Sequence, residues 1–89
     1  MKYEINRHFE KDLRNLPEAA EKAAGEFLIE LEGAKTLRDV RDCIPFQGKK
    51  NAYRVRRGNY RILIILYVEN EVVHLMRMLT RGQAYKKNV

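Results

Sequence analysis

Apolar and polar residues at the start of the chain are spaced first as in a strand and then as in a helix. Residues 2–5 are predicted to form a short strand, and Asn6 is suited to cap the helix that follows. Phe9, Leu13 and Leu16 then recur at i, i+4 and i+7, which is the spacing of one helix face. The chain is therefore predicted to begin with a strand and a short helix.

A second helical pattern follows, and its ends carry residues that favour helix boundaries. Pro17 suits the first turn of a helix, where a backbone N–H is not needed, and Gly33 is typical of a helix end. Between them, apolar residues recur with helical spacing and define one apolar face. This face consists of Ala20, Ala23, Ala24, Phe27, Leu28 and Leu31. Charges of both signs occupy the outer faces, so the two helices are predicted to cover a sheet.

The second half of the chain has the composition of β-strands. Residues 35–50 are irregular, with a helical turn expected at residues 36–40 and a break at Pro45. Three strands are then predicted from runs rich in Tyr, Val, Ile and Leu, at residues 52–57, 60–68 and 72–79. The predicted fold is therefore α+β: an N-terminal strand and a two-helix hairpin packed on one face of a small, mainly antiparallel sheet, in the order β-α-α-β-β-β.

The first two of these three strands are joined by Gly58 and Asn59, a two-residue hairpin turn of the type that prefers glycine first. This turn sets Arg56 directly opposite Arg61, and each sheet face receives every second residue. One face carries Arg54, Arg56, Arg61, Leu63 and Ile65, and the helix-covered face carries Tyr53, Val55, Ile62, Ile64 and Leu66. Opposed arginines repel each other, and an anion bound between them would remove that conflict.

The register of the third strand depends on the length of the loop before it. A loop of residues 69–70 would bury Arg77 under the helices, where an unpaired guanidinium is unfavourable. We therefore prefer a loop of residues 69–71. In this register the arginine face gains Val73, Leu75, Arg77, Leu79 and, near the rim, Arg81. The covered face then receives His74, Met76 and Met78.

Length and composition limit the chain to one domain. Its 89 residues, of which 45% are hydrophobic, can enclose one modest core, and residues 1–89 are predicted to be a single domain. The longest apolar run, residues 62–68, is too short to cross a bilayer, and the N-terminus has no apolar signal segment. Cys43 is the single cysteine, which excludes an intrachain disulfide. We therefore expect a soluble, cytoplasmic protein with no membrane partner.

The positive charge is concentrated in the second half of the chain. Residues 1–45 hold 8 basic and 10 acidic side chains, a formal net charge of −2. Residues 46–89 hold 10 basic and 2 acidic side chains, a formal net charge of +8. Such a basic surface is typical of proteins that bind nucleic acid or an acidic protein segment. The predicted strands therefore carry the candidate binding surface.

Residues able to hold a metal ion are few and far apart. The chain has two histidines, His8 and His74, and one cysteine, without the spacing of a metal motif. Cys43 follows Asp42 and lies far from both histidines in the sequence, so a nucleophilic thiol is not expected. We therefore expect no metal ion and no other cofactor.

Several short motifs accompany the predicted order of elements. They are Tyr53-Arg54-Val55-Arg56, Gly58-Asn59-Tyr60-Arg61-Ile62, Thr80-Arg81, Tyr85, Phe9-Glu10-Lys11-Asp12-Leu13, Leu16-Pro17 and Gly48. Together with the order of elements, these motifs resemble the RelE/ParE superfamily of toxins from bacterial toxin–antitoxin modules. The resemblance runs over essentially the whole chain, and it fits the RelE branch better than the ParE branch.

The resemblance implies an mRNA endoribonuclease, or mRNA interferase, that acts in the ribosomal A site without a metal ion. It implies that a ribose 2′-hydroxyl attacks the adjacent phosphate and gives a cyclic phosphate and a free 5′-hydroxyl. Guanidinium groups suit the charge that develops on the phosphoryl oxygens. The family's site, carried over to matching positions, consists of Arg54, Arg56, Arg61, Arg81 and Tyr85.

Two of these positions depart from the usual pattern of the family. Related nucleases often have lysines where this chain has Arg54 and Arg56, and arginine cannot act as a general base because its pKa exceeds ~12. Tyr85 is a candidate for proton transfer or for stacking on a base. Further basic residues near the arginine face are candidates for holding RNA phosphates. They are Lys49, Lys50, Arg57, Arg77, Lys86 and Lys87.

Other interpretations of the same residues remain open. Arginines on an exposed strand can simply be solvated, and Arg61 can form an ion pair with a helix carboxylate such as Glu30 or Glu32. The functional alternatives are a ParE-like toxin that inhibits DNA gyrase and a plain RNA-binding module. For a toxin, the resemblance implies a cognate antitoxin as partner, and a larger complex that binds operator DNA through the antitoxin.

Overall fold

The computed structural model describes residues 1–86, and its strands form one five-stranded sheet. In chain order the elements are strand β1 (Lys2–Ile5), helix α1 (Arg7–Arg14), helix α2 (Glu18–Gly33), a 3₁₀ helix (Leu37–Asp39), strands β2 (Cys43–Pro45), β3 (Ala52–Arg57), β4 (Tyr60–Tyr67) and β5 (Val72–Thr80), and helix α3 (Arg81–Lys86). The strand order is β1-β5-β4-β3-β2, with β1 parallel to β5 and the other pairs antiparallel. The predicted α+β class with a mainly antiparallel sheet is confirmed.

The N-terminal helices follow the sequence pattern closely. The Asn6 side chain accepts a hydrogen bond of 2.7 Å from the backbone N–H of His8, so it caps α1 as predicted. Helix α2 starts one residue after Pro17 and ends at Gly33. Its buried residues, Ala20, Ala24, Phe27 and Leu31, recur at helical spacing. This apolar stripe packs α2 against one face of the sheet, which we call the covered face.

The main core lies between the helices and the covered face. Val55, Ile62 and Ile64 of the central strands are at most 1% exposed, and Phe9 and Phe27 pack in the same cluster from the helices. Each buried side chain of this size contributes roughly 1.5–3 kcal/mol by removing apolar surface from water. Because the core fixes these residues inward, the alternate residues of β3 and β4 lie on the opposite face, which we call the open face.

The hairpin of β3 and β4 has the predicted register. Arg56 pairs with Arg61, and Arg54 pairs with Leu63, as the two-residue turn requires. Gly58 has a φ of 56°, a left-handed value that glycine adopts without a steric penalty. The residues predicted for the arginine face of these two strands therefore lie on the open face.

A β-bulge divides the pairing of β4 and β5 into two registers. Near the arginines, Arg61 pairs with Leu79, as expected for the preferred loop. Between Leu63 and Ile64 the register shifts by one residue, and the loop that joins the strands comprises residues 68–71. A one-residue shift moves every following side chain to the other face. The predicted register is therefore correct for residues 77–79 of β5 and wrong for residues 72–75.

The shift corrects the predicted positions of several β5 side chains. Val73 and Leu75, expected on the arginine face, are fully buried on the covered face. His74, expected on the covered face, lies on the open face. Met76 is half-buried near the bulge, whereas Met78 is in the main core as expected. The extra residue reverses the alternation, and a uniform strand pattern does not reveal where that happens.

Two described elements are absent from the sequence prediction. Strand β2 lies at the sheet edge beside β3, and Pro45 is its last residue instead of a break, because an edge strand tolerates proline. Helix α3 begins directly after β5. The helical turn expected at residues 36–40 is the 3₁₀ helix, which Thr36 and Asp39 stabilise with a capping box. Within residues 1–86, the helices are all too short or too polar to span a membrane.

Candidate functional site

Arginines from two strands and one helix meet at one end of the open face. Arg54 and Arg56 belong to β3, and Arg61 lies opposite Arg56 on β4. Arg81 was expected at the end of a strand, but it is the first residue of α3 and is exposed. The charges of the other three are close enough to Arg61 to act on its ionisation. We call these four residues the arginine cluster.

Arg61 is restrained by the hairpin turn. Its Nη1 donates hydrogen bonds of 2.8 Å to the carbonyl oxygens of Gly58 and of Tyr60. These carbonyls orient the guanidinium, but they carry no formal negative charge. The hydrogen bonds therefore fix the position of Arg61 without neutralising it.

The electrostatic environment of Arg61 is positive. Burial lowers the pKa of its guanidinium, and the neighbouring charges of Arg56, Arg81 and Arg54 lower it further. Like charges disfavour each other's protonated forms, although a guanidinium remains charged at neutral pH. A bound anion would stabilise the cluster because it would replace repulsion with attraction.

A carboxylate lies beside the arginine cluster at the edge of the sheet. Asp42 Oδ1 is 3.6 Å from Arg56 Nη2, and these two side chains are 48% and 51% exposed. The backbone N–H of Arg56 also donates a hydrogen bond of 3.1 Å to the Asp42 carbonyl. Sequence reasoning missed this contact because it did not predict β2, the strand that brings Asp42 beside β3.

The start of α3 is fixed to the hairpin turn and to the end of β5. The backbone N–H of Arg81 donates a hydrogen bond of 2.8 Å to the Asn59 carbonyl. The Thr80 N–H donates to Gln83 Oε1 at 2.9 Å, and the Gln83 N–H donates to Thr80 Oγ1 at 3.1 Å. This reciprocal pair satisfies backbone N–H groups at the helix N-terminus. Arg81 is therefore held beside the turn that also restrains Arg61.

Arg57, a predicted RNA contact, lies under the helices and not on the open face. Its side chain is 4% exposed, and Nη2 donates a hydrogen bond of 2.7 Å to Glu30 Oε2 of α2. Its Nη1 donates to the carbonyls of Arg41 and Arg56 at 2.6 and 2.7 Å. Glu30, a candidate partner for Arg61, thus pairs with Arg57. The alternation of β3 accounts for this, because Arg57 falls on the same face as the buried core residues.

Arg77 also pairs with a helix carboxylate, although its side chain is 35% exposed. Its Nε and Nη2 donate hydrogen bonds of 2.7 and 3.1 Å to the Asp12 carboxylate of α1. The same carboxylate accepts the Met78 N–H at 2.9 Å. The hydrogen bond that Arg77 donates to Asp12 raises the pKa of Arg77, and burial opposes that effect. Arg77 is therefore paired with α1, and the charges that act on Arg61 are those of Arg56, Arg81 and Arg54.

The structure describes the remaining candidates only in part. Lys49 and Lys50 are exposed in the turn before β3. Tyr85 and Lys86 belong to α3, but their side chains are not described. Lys87 lies outside the described residues. The roles expected for these residues stay predictions.

His74 and Cys43 lie in other surroundings. The His74 ring stacks on Tyr67 with centroids 4.0 Å apart, and its Nδ1 lies 3.7 Å from Glu4 Oε2. Cys43 packs against the main core, and burial raises the pKa of its thiol to about 11, opposed by the charge of Arg57. The thiol is therefore protonated at neutral pH and is a poor nucleophile.

Fold and site together define a small α+β protein whose open sheet face presents a cluster of arginines. The chain is 33% identical to the toxin RelE3 of Methanocaldococcus jannaschii over 86 residues, which is 96% of each chain. No model of a protein family matches the chain. On the evidence of RelE3, it belongs to the RelE family of toxins.

Solved structures agree with this assignment. The toxin–antitoxin complex RelB–RelE of Methanococcus jannaschii contains a chain that is 28% identical, with a TM-score of 0.78, and the match covers 93% of this chain and 95% of that one. The archaeal RelE–RelB complex of Pyrococcus horikoshii OT3 also contains a chain that is 28% identical, with a TM-score of 0.73. That match covers 93% of this chain and 97% of the other. The fold is therefore that of RelE toxins.

Proposed function

We propose that this RelE-family toxin is an endoribonuclease that cleaves mRNA in the ribosomal A site, without a metal ion, and so inhibits translation. The observation that carries the proposal is the arginine cluster, in which Arg56 lies directly opposite Arg61 and the charges of Arg54 and Arg81 are also close enough to act on the Arg61 guanidinium. A cluster of like charges at an open surface, with Arg61 oriented by two backbone carbonyls, is suited to bind an anion. For a toxin that acts on mRNA, that anion is an RNA phosphate.

The geometry of the cluster fits the chemistry of RNA transesterification. Attack of a 2′-hydroxyl on the adjacent phosphate places additional negative charge on the phosphoryl oxygens. Arg56 and Arg61 face each other across the hairpin, so a phosphate between them would accept charge-assisted hydrogen bonds from both. These hydrogen bonds strengthen as charge develops, which lowers the barrier. Arg61 is already oriented by two carbonyls, so less reorganisation is needed.

We also propose that a cognate antitoxin neutralises the toxin by covering the arginine cluster. Two similar toxins were solved as complexes of RelE with RelB. The formal net charge of +8 in residues 46–89 favours a partner segment that carries acidic residues. Association would then be fast and would slow as salt is added.

Cell-free translation with mapping of mRNA 5′ ends tests the activity. The wild-type toxin is expected to produce new 5′ ends on translating ribosomes, and prior addition of the antitoxin is expected to abolish them. Phenanthroline, which removes transition metals but leaves the ribosomal Mg²⁺ in place, is expected to leave the cleavage rate unchanged. Intact mRNA with the wild-type toxin would reject the activity, and inhibition by phenanthroline would reject metal independence.

Variants of the cluster test the site. We expect Arg61→Ala and Arg81→Ala each to lower the cleavage rate about 10²-fold or more, the effect of removing one donor to a developing charge. Arg38→Ala, which removes an exposed arginine on the 3₁₀ helix, is the matched control and is expected to cleave like the wild type. Undiminished cleavage in both cluster variants would show that the site lies elsewhere.

A further inference from the structure

Asp42 lies beside the arginine cluster, on the side of Arg56 that faces the edge of the sheet. It directly precedes β2, its carbonyl accepts the Arg56 N–H at 3.1 Å, and Arg56 in turn pairs with Arg61. Because adjacent strands are about 4.8 Å apart, the three residues follow one another at single-strand spacing. A phosphate that Arg56 and Arg61 bind together would therefore share the Arg56 guanidinium with the Asp42 carboxylate, whose Oδ1 lies 3.6 Å from Arg56 Nη2.

The Asp42 carboxylate is held more loosely than two other carboxylates that pair with arginines. Glu30 and Asp12 each accept an arginine hydrogen bond of 2.7 Å, and their side chains are 26% and 17% exposed. Asp42 Oδ1 lies 3.6 Å from Arg56 Nη2, which is beyond hydrogen-bond distance, and its side chain is 48% exposed. The carboxylate is therefore accessible to an incoming hydroxyl group.

The proposed reaction needs a proton acceptor beside the phosphate. A 2′-hydroxyl becomes a strong nucleophile only as it loses its proton, and guanidinium groups cannot take that proton because they stay protonated. An aspartate carboxylate can act as a general base. Resting on the function proposed above, we propose that Asp42 is a catalytic residue that accepts the proton of the attacking 2′-hydroxyl.

Each bond and proton in this step is accounted for. The O–H bond of the 2′-hydroxyl breaks, and its proton passes to a carboxylate oxygen of Asp42. The 2′-oxygen forms a bond to phosphorus, the bond from phosphorus to the 5′-oxygen breaks, and the 5′-oxygen takes a proton from water. Asp42 then returns its proton to the solvent. The products are a 2′,3′-cyclic phosphate and a 5′-hydroxyl, with no net change in protons.

The backbone at Asp42 determines which variants test the proposal. Its φ is 54°, in the left-handed region that asparagine and glycine tolerate best. Asp42→Asn keeps the size of the side chain and an oxygen that can accept a hydrogen bond from Arg56, but it removes the basicity. We expect this variant to cleave ribosome-bound mRNA 10²–10⁴-fold more slowly in single-turnover assays, the usual contribution of a general base.

Measuring RNA binding beside cleavage distinguishes a variant that has lost the chemical step from one that has lost its structure. Asp42→Asn is expected to bind ribosome-held mRNA with a 2′-deoxy nucleotide at the mapped cleavage position at least as tightly as the wild type, because a negative charge beside the arginines is removed. Glu26→Gln, which neutralises an exposed carboxylate on α2, is the control and is expected to cleave at the wild-type rate. Chemical rescue adds a second measurement: sodium formate, but not sodium chloride, is expected to restore part of the activity of Asp42→Gly.

The outcomes distinguish this proposal from the function on which it rests. A wild-type toxin that leaves mRNA intact would overturn the function and this role together. If the wild type cleaves and Asp42→Asn cleaves at the same rate, the function stands and the role of Asp42 is rejected. The role is also rejected if Asp42→Asn loses cleavage and binding in equal proportion, or if formate fails to rescue Asp42→Gly.

Discussion

Arg57 and Glu30 form an ion pair beneath the sheet, with 2.7 Å between Nη2 and Oε2, and this pair joins β3 to α2. The Arg57 side chain is 4% exposed, so loss of its partner would leave a buried charge uncompensated. We expect Glu30→Ala to lower the free energy of unfolding by about 3 kcal/mol, measured by urea denaturation. Glu26→Ala, at an exposed position of the same helix, is the control and should change it by less than about 0.5 kcal/mol. Equal stabilities of the two variants would contradict a structural role for the pair.

The repulsion within the arginine cluster predicts that anions stabilise the fold. A ligand that binds the native state at 100 times its Kd raises the free energy of unfolding by about 2.7 kcal/mol. Tripolyphosphate is therefore expected to raise the thermal unfolding midpoint of the wild type, and to raise that of Arg61→Ala by less. Sodium chloride at equal ionic strength and the Arg38→Ala variant are the controls. If tripolyphosphate raised the unfolding midpoint of Arg61→Ala as much as that of the wild type, the anion would bind outside the cluster.

The limits of sequence-based prediction for this fold are clearest in β5. The hairpin turn at Gly58 and Asn59 determines the register of β3 and β4 locally, so the opposition of Arg56 and Arg61 was predictable. The β4–β5 register changes at the bulge, and no residue near Met76 is of a type that indicates a bulge in the sequence. Strand β2 is short, contains a proline and pairs only at a sheet edge, so its pattern resembles a loop.

The candidate site was predictable to the extent that it depends on strand alternation. Alternation correctly places Arg54, Arg56 and Arg61 on the open face. Alternation along β3 also places Arg57 on the covered face, but the carboxylate that makes this burial tolerable lies 27 positions away on α2. Asp42 could not be found from the sequence, because its position depends on β2.

The salt dependence of RNA binding distinguishes Arg81 of the cluster from Arg77, whose charge Asp12 neutralises. Removing one side chain that neutralises a phosphate reduces the slope of log K against log salt by about 0.7 for a single strand. With 2′-O-methyl RNA, which cannot be cleaved, Arg81→Ala is expected to show this reduction. Arg77→Gln is expected to keep the wild-type slope, because Asp12 already neutralises Arg77. A smaller slope in Arg77→Gln than in the wild type would show that Arg77 binds phosphate.

The raised pKa of Cys43 predicts how the thiol and the fold respond to alkaline pH. Burial raises the pKa from an ordinary value of 9.0 to about 11, so the native thiol stays protonated at pH values where the unfolded thiol ionises. Iodoacetamide, which reacts with the thiolate, should therefore modify native Cys43 at pH 9 much more slowly than the urea-unfolded chain.

The same shift makes stability depend on pH. Because the native pKa is the higher one, the contribution of Cys43 is fully present below pH 9 and is lost as the pH rises to about 11. The free energy of unfolding of the wild type should accordingly fall more steeply over this range than that of Cys43→Ala, which has no thiol to ionise. Parallel curves for the two proteins, or equal alkylation rates in the native and unfolded states, would contradict the burial of Cys43 against the core.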